Sequence, residues 1–325
     1  MQVVITGGAG FLGQRLARSL LKQGSLPDRN GQLQAISKIT LVDVAAAGGF
    51  DDARIEQVTG DITERALLER VITPQTAAVF HLAAIVSGQA EADFDLGMRI
   101  NLDASRLLLE RCRSCANVPR VIFTSSVAVF GGVLPAVVQD DTALNPQSSY
   151  GTQKAIAELL LNDYSRKGFV DGRVLRLPTI SVRPGKPNQA ASSFASGIIR
   201  EPLNGQPAVC PVAPDVRLWL LSPRKVIASL IHGCTLPAEA FGKSRTVNLP
   251  GISVTVADMV AALERVAGKQ VAARVEWVHD PAIDRIISSW PGAWDASRAT
   301  ALGFAGDAGF DDIVRAYMED DLPAA

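Results

Sequence analysis

A short apolar run, Gln2-Val-Val-Ile-Thr6, leads without a spacer into Gly7-Gly-Ala-Gly10-Phe11-Leu12-Gly13, and Leu12, Leu16 and Leu20 then recur at helical spacing. A strand that must reverse this abruptly into a helix needs glycine, for the tight turn and for close strand–helix packing. The first turn of the helix carries unpaired N–H groups and the positive end of the helix dipole, which together suit a phosphate. Gly7, Gly10, Phe11, Leu12 and Gly13 are therefore the expected cradle of a pyrophosphate. A glycine fingerprint alone is common; the strand before it and the helix after it give it weight.

The first 180 residues alternate β-rich and helical patterns, which predicts βαβ units and a parallel sheet. Strands are expected at Gln2–Thr6, Ile39–Asp43, Ile55–Val58, Ala78–His81, Arg120–Thr124 and Arg173–Leu177, with helices around Leu12–Lys22, Glu64–Val71, Asp93–Arg113 and Ser149–Lys167. The polar stretch Gly24–Ser37 reads as a surface loop. After Leu177 frequent prolines break the rhythm. A helix is expected at Ser192–Arg200, a returning strand at Thr246–Leu249, and helices at Val256–Gly268 and Asp311–Glu319. The expected fold class is α/β: a doubly wound parallel sheet with a smaller C-terminal α+β lobe. Residues 1–178, with about 222–250, would form the nucleotide-binding part, and 179–221 with 251–325 the substrate lobe. Trp277, Trp290 and Trp294 are expected to pack the core of that lobe.

Composition excludes several classes. A net charge of −1 over 325 residues offers no field for nucleic acid or an anionic membrane. No apolar run is long enough to span a bilayer, and no basic, cleavable leader precedes Val3, so a cytoplasmic location is expected. Cys112 and Cys115 form a C-x-x-C without a second pair or accompanying histidines, and they read as buried thiols rather than a metal or redox site. No metal is expected.

The chemistry gathers at strand ends and on one helix. Asp43 ends the second strand, where a carboxylate can bind both hydroxyls of an adenosine ribose and repel a 2′-phosphate, favouring NAD over NADP. Asp61, followed by Ile62, could accept from the adenine amino group or cap the next turn. Tyr150 and Lys154 are one turn apart on a helix capped by Ser148 or Ser149, whose buried stripe is expected to be Ala155, Ile156, Leu159 and Leu160. An ammonium beside the phenol, with a positive nicotinamide ring, would favour the phenolate and make it a usable base. Ser126, at the end of the strand running into Thr124-Ser125-Ser126, could steady a developing alkoxide. Asn101, inside a predicted helix, could hold a water that passes the proton from Lys154 to solvent.

In order along the chain, TGGAGFLG (Thr6–Gly13), GDI (Gly60–Ile62), HLAA (His81–Ala84), Asn101, SSVAVFG (Ser125–Gly131), YGTQK (Tyr150–Lys154) and LRLP (Leu175–Pro178) resemble the extended short-chain dehydrogenase/reductase superfamily, specifically its NAD-dependent epimerase/dehydratase family. The resemblance implies a Rossmann-type fold and NAD. It makes Ser126, Tyr150 and Lys154 catalytic, with Asn101 assisting. Asp43, Asp61, Ile62, Leu82, Ala83, Ala84, Asn101, Ser125, Tyr150, Lys154 and Pro178 would join the glycine loop in holding the cofactor, and His81 would be structural. Sugar-nucleotide dehydratases of the family carry an Asp-Glu pair where this chain has Val127 and Ala128, so elimination chemistry is not expected. Thr179–Pro187, Ser192-Ser-Phe and Val216–Leu220 are similar to members that oxidise the C2 hydroxyl of a four-carbon sugar acid. Such a substrate needs a cation for its carboxylate, and Arg183 and Arg217 are the candidates, with Thr179 beside them. Either arginine could instead pair with Asp215. The family also implies a homodimer through a four-helix bundle. Nucleotide-sugar epimerase chemistry and a non-catalytic NAD(P) sensor are the rival expectations; the Tyr150–Lys154 pair speaks against the second.

Overall fold

The computed structural model describes residues 1–115, 117–187 and 190–322. Seven strands form the central sheet: β1 (Gln2–Thr6), β2 (Lys38–Asp43), β3 (Ile55–Thr59), β4 (Thr76–His81), β5 (Arg120–Ser126), β6 (Asp171–Leu177) and β7 (Thr246–Asn248). Their order across the sheet is β3-β2-β1-β4-β5-β6-β7, parallel at every pairing. The order reverses between β1 and β4, which opens a crevice at the carboxyl ends of those strands.

Alternation along each strand divides the core in two. Val3, Ile5, Ile39, Leu41 and Phe80 pack on one face of the sheet, while Val4, Val42, Val79, Val121 and Phe123 pack on the other. With both faces covered, the central strands β1, β4 and β5 are largely apolar, whereas the outer β3 carries Glu56 and Gln57 exposed. On the first face the helix Phe11–Gln23 buries Gly13, Leu16, Ala17 and Leu20, and it ends at Gly24 in the left-handed conformation (φ 74°).

Four expectations are corrected. The polar stretch after Gly24 is not a plain loop, because Ser25–Pro27 and Leu33–Ala35 pair as an antiparallel hairpin and Leu26 is fully buried beneath it. The helix expected over Asp93–Arg113 is a series: short turns at Ser87–Ala92 and Phe94–Gly97, a π-helical stretch at Met98–Asp103, then a regular helix at Ala104–Ser114. On Ser149–Arg166, Leu159 is 66% exposed and Ile156 37%. The buried face instead carries Gly151, Gln153, Lys154, Ala155, Glu158 and Leu161; its polar members hide it from a search for apolar periodicity. Of the three tryptophans, Trp294 is buried and Trp290 packs partly buried against the lobe's core while also lining a cavity, but Trp277 is exposed.

Beyond β6 the chain builds a second unit. Thr179–Ile180 runs parallel to Arg217–Leu221, which pairs antiparallel with Ile252–Thr255. The helices Phe194–Leu203, Val256–Ala267 and Phe310–Asp320 enclose a separate core that includes Ile198, Leu218, Met259, Leu263 and Val314. Because Thr179 follows β6 after only Pro178, this unit closes directly over the carboxyl end of the sheet.

Candidate active site

The glycine loop is built by close approach. Gly7 has φ +73°, and a Cβ there would stand 2.9 Å from the Ala83 nitrogen; a Cβ at Gly13 would stand 2.2 Å from the Gly7 carbonyl oxygen. Gly10 caps the helix Phe11–Gln23 without a side-chain acceptor. Among the described residues the Phe11 and Leu12 N–H groups have no protein partner, since the first bond of the turn runs from Gln14 N–H to the Gly10 carbonyl. Two free donors at a helix N-terminus, in a cradle that a single methyl would fill, fit a dinucleotide pyrophosphate. Asp43 stands at the end of β2, where it accepts from Ala9 N–H at 3.0 Å and so ties the loop to the sheet. A carboxylate has further acceptor capacity beyond such a bond. Asp61 accepts from Thr63 N–H at 2.9 Å, ahead of the helix Arg65–Val71, so it orders the turn it follows. Ile62 is buried beside it.

Behind the loop lies a buried hydrogen-bonded chain. His81 Nδ1 is 2.7 Å from Thr6 Oγ1, and Nε2 is 2.9 Å from Ser105 Oγ. Ser105 Oγ donates to the Asn101 carbonyl at 2.7 Å, so Nε2–H donates and Nδ1 accepts. Burial pushes the imidazole down to about 3, and the Lys154 charge adds to it. His81 is a neutral structural group. Ala83 N–H reaches Thr6 Oγ1 at 3.3 Å, with Leu82 and Ala84 on either side of it in the chain.

The Ser148 hydroxyl caps the catalytic helix by accepting from Gly151 N–H. The glycine is obligatory, because a Cβ at 151 would meet the Ala128 carbonyl oxygen at 2.1 Å. Tyr150 and Lys154 face the end of β5. Lys154 Nζ donates to the Thr124 carbonyl at 3.0 Å and lies 5.7 Å from the centroid of the Tyr150 ring. Burial pushes Lys154 down to about 8, against the pull of the Glu158 carboxylate. Burial pushes the Tyr150 phenol up to about 12, opposed by a hydrogen bond from Ser126 and by the charge of Arg183. The protein's own groups therefore hold the phenol neutral; Lys154 is not among those that bring it down. Ser126 Oγ also accepts from Ala128 N–H at 3.2 Å.

Other expected residues are turned away from the reacting atoms. The Ser125 hydroxyl donates to the buried Glu158 carboxylate, which Arg176 holds in a bidentate pair closing at 2.8 Å. The same Arg176 stacks on Phe130, 4.9 Å from the ring centroid. The Asn101 side chain is fully engaged: Oδ1 accepts from Ile85 N–H at 2.9 Å, and Nδ2 donates to Gln153 Oε1 at 2.8 Å and to the Ile85 carbonyl at 3.3 Å. It braces a loop, and both polar atoms of its side chain are already bonded within the protein. Cys112, Cys115, Cys210 and Cys234 are all buried free thiols, and burial raises the Cys112 thiol far from ionisation.

Between the sheet and the second unit lies a cavity of about 120 Å³, well under the ~300 Å³ at which sites for drug-sized ligands begin. The residues lining it include the hydroxyls of Ser87, Ser126, Tyr150, Thr179 and Ser192 and the guanidinium of Arg183, with Pro178 and Trp290 as walls and no carboxylate among the described lining residues. Among the described residues the Arg183 guanidinium makes only a long 3.4 Å contact, to Ser192 Oγ. Burial and the neighbouring Arg200 lower it to about 10, while Tyr150 acts in the opposite sense. Arg217 is elsewhere. It is exposed and bonded to Ser253 at 3.3 Å, and Gly292 packs on its stem. Neither arginine pairs with Asp215. Ser87 and Trp290 escaped the sequence reading, because serine in a loop and tryptophan in a core-rich segment carry no pattern of their own.

A phosphate-binding glycine loop at a sheet's switch point, with a buried Tyr-Lys pair and a serine at the neighbouring strand end, defines a nicotinamide-nucleotide-dependent enzyme acting on a hydroxyl-bearing carbon. The chain belongs to the NAD-dependent epimerase/dehydratase family, whose model matches residues 3–219. It is 66% identical over 320 residues to D-erythronate dehydrogenase of Cupriavidus necator, covering 98% of each chain, and 49% identical over 323 residues to D-erythronate dehydrogenase of Haemophilus influenzae, covering 99% of this chain and 100% of the relative. Among solved structures it resembles a nucleoside-diphosphate-sugar epimerase from Agrobacterium tumefaciens, with TM-score 0.94 and 42% identity over 100% of this chain and 95% of the other. It also resembles L-threonine 3-dehydrogenase from Trypanosoma brucei, with TM-score 0.86 and 26% identity over 99% and 96%. The protein is an NAD-dependent oxidoreductase.

Proposed function

We propose that the chain oxidises the C2 hydroxyl of D-erythronate to 2-dehydro-D-erythronate. The observation that carries this is Arg183: a partly buried cation, electrostatically coupled to Tyr150, in a small hydroxyl-lined cavity with no carboxylate among its described lining residues. A carboxylate one carbon from the reacting alcohol would pair with the guanidinium, and the remaining hydroxyls would face serine and threonine side chains. An α-ammonium group, as in threonine, would find a cation and no anion. In this reading Ser126 and Tyr150 hold the C2 hydroxyl, and Tyr150 as phenolate takes its proton. Bound NAD would supply a hydride acceptor for the C2 hydrogen and a positive charge that lowers the phenol. Gly7, Gly10, Phe11, Leu12 and Gly13 would hold the pyrophosphate, Asp43 the adenosine ribose, and Lys154 the second ribose after leaving Thr124. Substrate would enter between residues 1–178, joined by 222–250, and the lobe of 179–221 and 251–325.

Steady NADH accumulation at 340 nm with D-erythronate, and none with UDP-sugars or L-threonine, is the expected result. Conversion of a UDP-sugar without net NADH would transfer the reading to the epimerase class, and NADH from L-threonine would transfer it to the amino-acid class.

A homodimer is part of the reading. Phe94, Ile156 and Leu159 present apolar surface, 57%, 37% and 66% exposed, on the two helical segments that would form a four-helix bundle. Leu159→Glu should convert a dimer to a monomer in sedimentation velocity; a wild-type monomer would end the proposal.

A further inference from the structure

We propose that Gln153 is a positioning residue: through Asn101 it locks the helix carrying Tyr150 and Lys154 to the loop that follows β4.

Gln153 lies between the two catalytic side chains on Ser149–Arg166 and is fully buried. Its Oε1 accepts from Asn101 Nδ2 at 2.8 Å. Asn101 in turn grips both polar atoms of the Ile85 backbone. Ile85 joins Ala83–Ala84, beside the glycine loop, to Val86 and Ser87, which line the cavity. A single buried chain of bonds thus fixes the phase of the catalytic helix against both the cofactor loop and the cavity wall.

Two features show that packing is not the reason for a glutamine here. Its Nε2 is buried without a partner, a cost that methionine or leucine of similar volume would avoid. The site has also been hollowed out for it, because a Cβ on Gly97 would stand 2.5 Å from Nε2 and 3.1 Å from Oε1. Gly97 itself is in ordinary helical conformation (φ −57°), where alanine is the better helix former. The glycine is explained by the room the amide needs. The π-helical stretch Met98–Asp103 begins at the next residue and presents Asn101 to Gln153.

The test uses Gln153→Met, which keeps the volume and loses the acceptor, and Gly97→Ala, which leaves the acceptor but pushes it aside. Both should raise amide hydrogen exchange in the segment spanning residues 82–89 by roughly tenfold, the equivalent of one lost buried hydrogen bond, with the rest of the sheet unchanged. Melting temperature should stay at or above the wild-type value for Gln153→Met. Turnover with D-erythronate should fall about tenfold with KM nearly constant, and Gly97→Ala should add nothing in a Gln153→Ala background. Unchanged exchange in both variants, or a drop in melting temperature with turnover intact, would overturn the proposal. The exchange arm does not depend on which acid is oxidised, so failure of the proposed reaction and failure of the brace are told apart.

Discussion

Lys154 Nζ lies 5.7 Å from the Tyr150 ring centroid, yet burial moves the two groups in opposite directions, the ammonium down to about 8 and the phenol up to about 12. Each charged form is disfavoured by the same dry environment. Lys154 therefore keeps its proton below about pH 8 while the Tyr150 phenol stays neutral, and the protein's own groups do not ionise the tyrosine at neutral pH.

Replacing Tyr150 by Phe removes the proton acceptor and leaves the cavity shape. Turnover should fall by roughly a thousandfold, while NAD affinity from fluorescence titration stays within about twofold, since no phosphate or adenosine contact is touched. Persistent NADH formation in stopped-flow would remove Tyr150 from the mechanism.

The two arginines separate cleanly. Arg183→Met should lower kcat/KM for D-erythronate by roughly tenfold to a hundredfold, the range for a charged hydrogen bond, chiefly through KM. Arg217→Met, whose side chain is exposed, should change it by no more than about twofold. Equal losses in both would place the carboxylate outside the Arg183 cavity.

Gly13→Ala forces a methyl to within 2.2 Å of the Gly7 carbonyl oxygen, with Gly8 Cα at 2.8 Å. These are backbone atoms that cannot swing away. NAD binding by calorimetry should be lost or weakened by well over tenfold, with stability lowered by about 1–3 kcal/mol. Gly48→Ala, where a Cβ meets nothing within 4 Å, is the matched control and should be silent.

The buried ammonium has a signature in stability. Below pH 8 both folded and unfolded chains carry a protonated Lys154, and the folded chain bears the full desolvation cost. From about 8 to the ordinary 10.5 the folded group releases its proton first, the unfolded state binds more protons, and stability rises with pH. Lys154→Met should thus be the more stable protein at pH 7, by an amount on the order of 3 kcal/mol at most, with the advantage shrinking toward pH 10. A difference independent of pH in urea titrations would show that Lys154 is not desolvated.

The glycine loop, the parallel sheet and the Tyr150–Lys154 spacing were legible because each is a local rule: a turn only glycine makes, a strand covered on both faces, a four-residue helical repeat. The helix carrying the catalytic pair was placed correctly, but its buried face was misassigned, since Gln153, Lys154 and Glu158 occupy positions where an apolar stripe was sought. Arg183 and Arg217 were equivalent in the sequence, both basic residues in the segment after β6. Only the fold brought one to the cavity beside Tyr150 and left the other exposed.

Sequence alone pointed to the glycine loop, the parallel sheet and the Tyr150–Lys154 pair, since a glycine turn, strand patterning and helical spacing are local features of the chain. Tertiary structure decided which side chains are free to act. Asn101 is committed to Ile85 and Gln153 and Ser125 to Glu158, whereas among the described residues the Arg183 guanidinium keeps only a long contact to a serine. Those outcomes depend on which buried polar groups find partners from distant strands and helices, and hydrogen bonds across the fold leave no periodic trace in the chain.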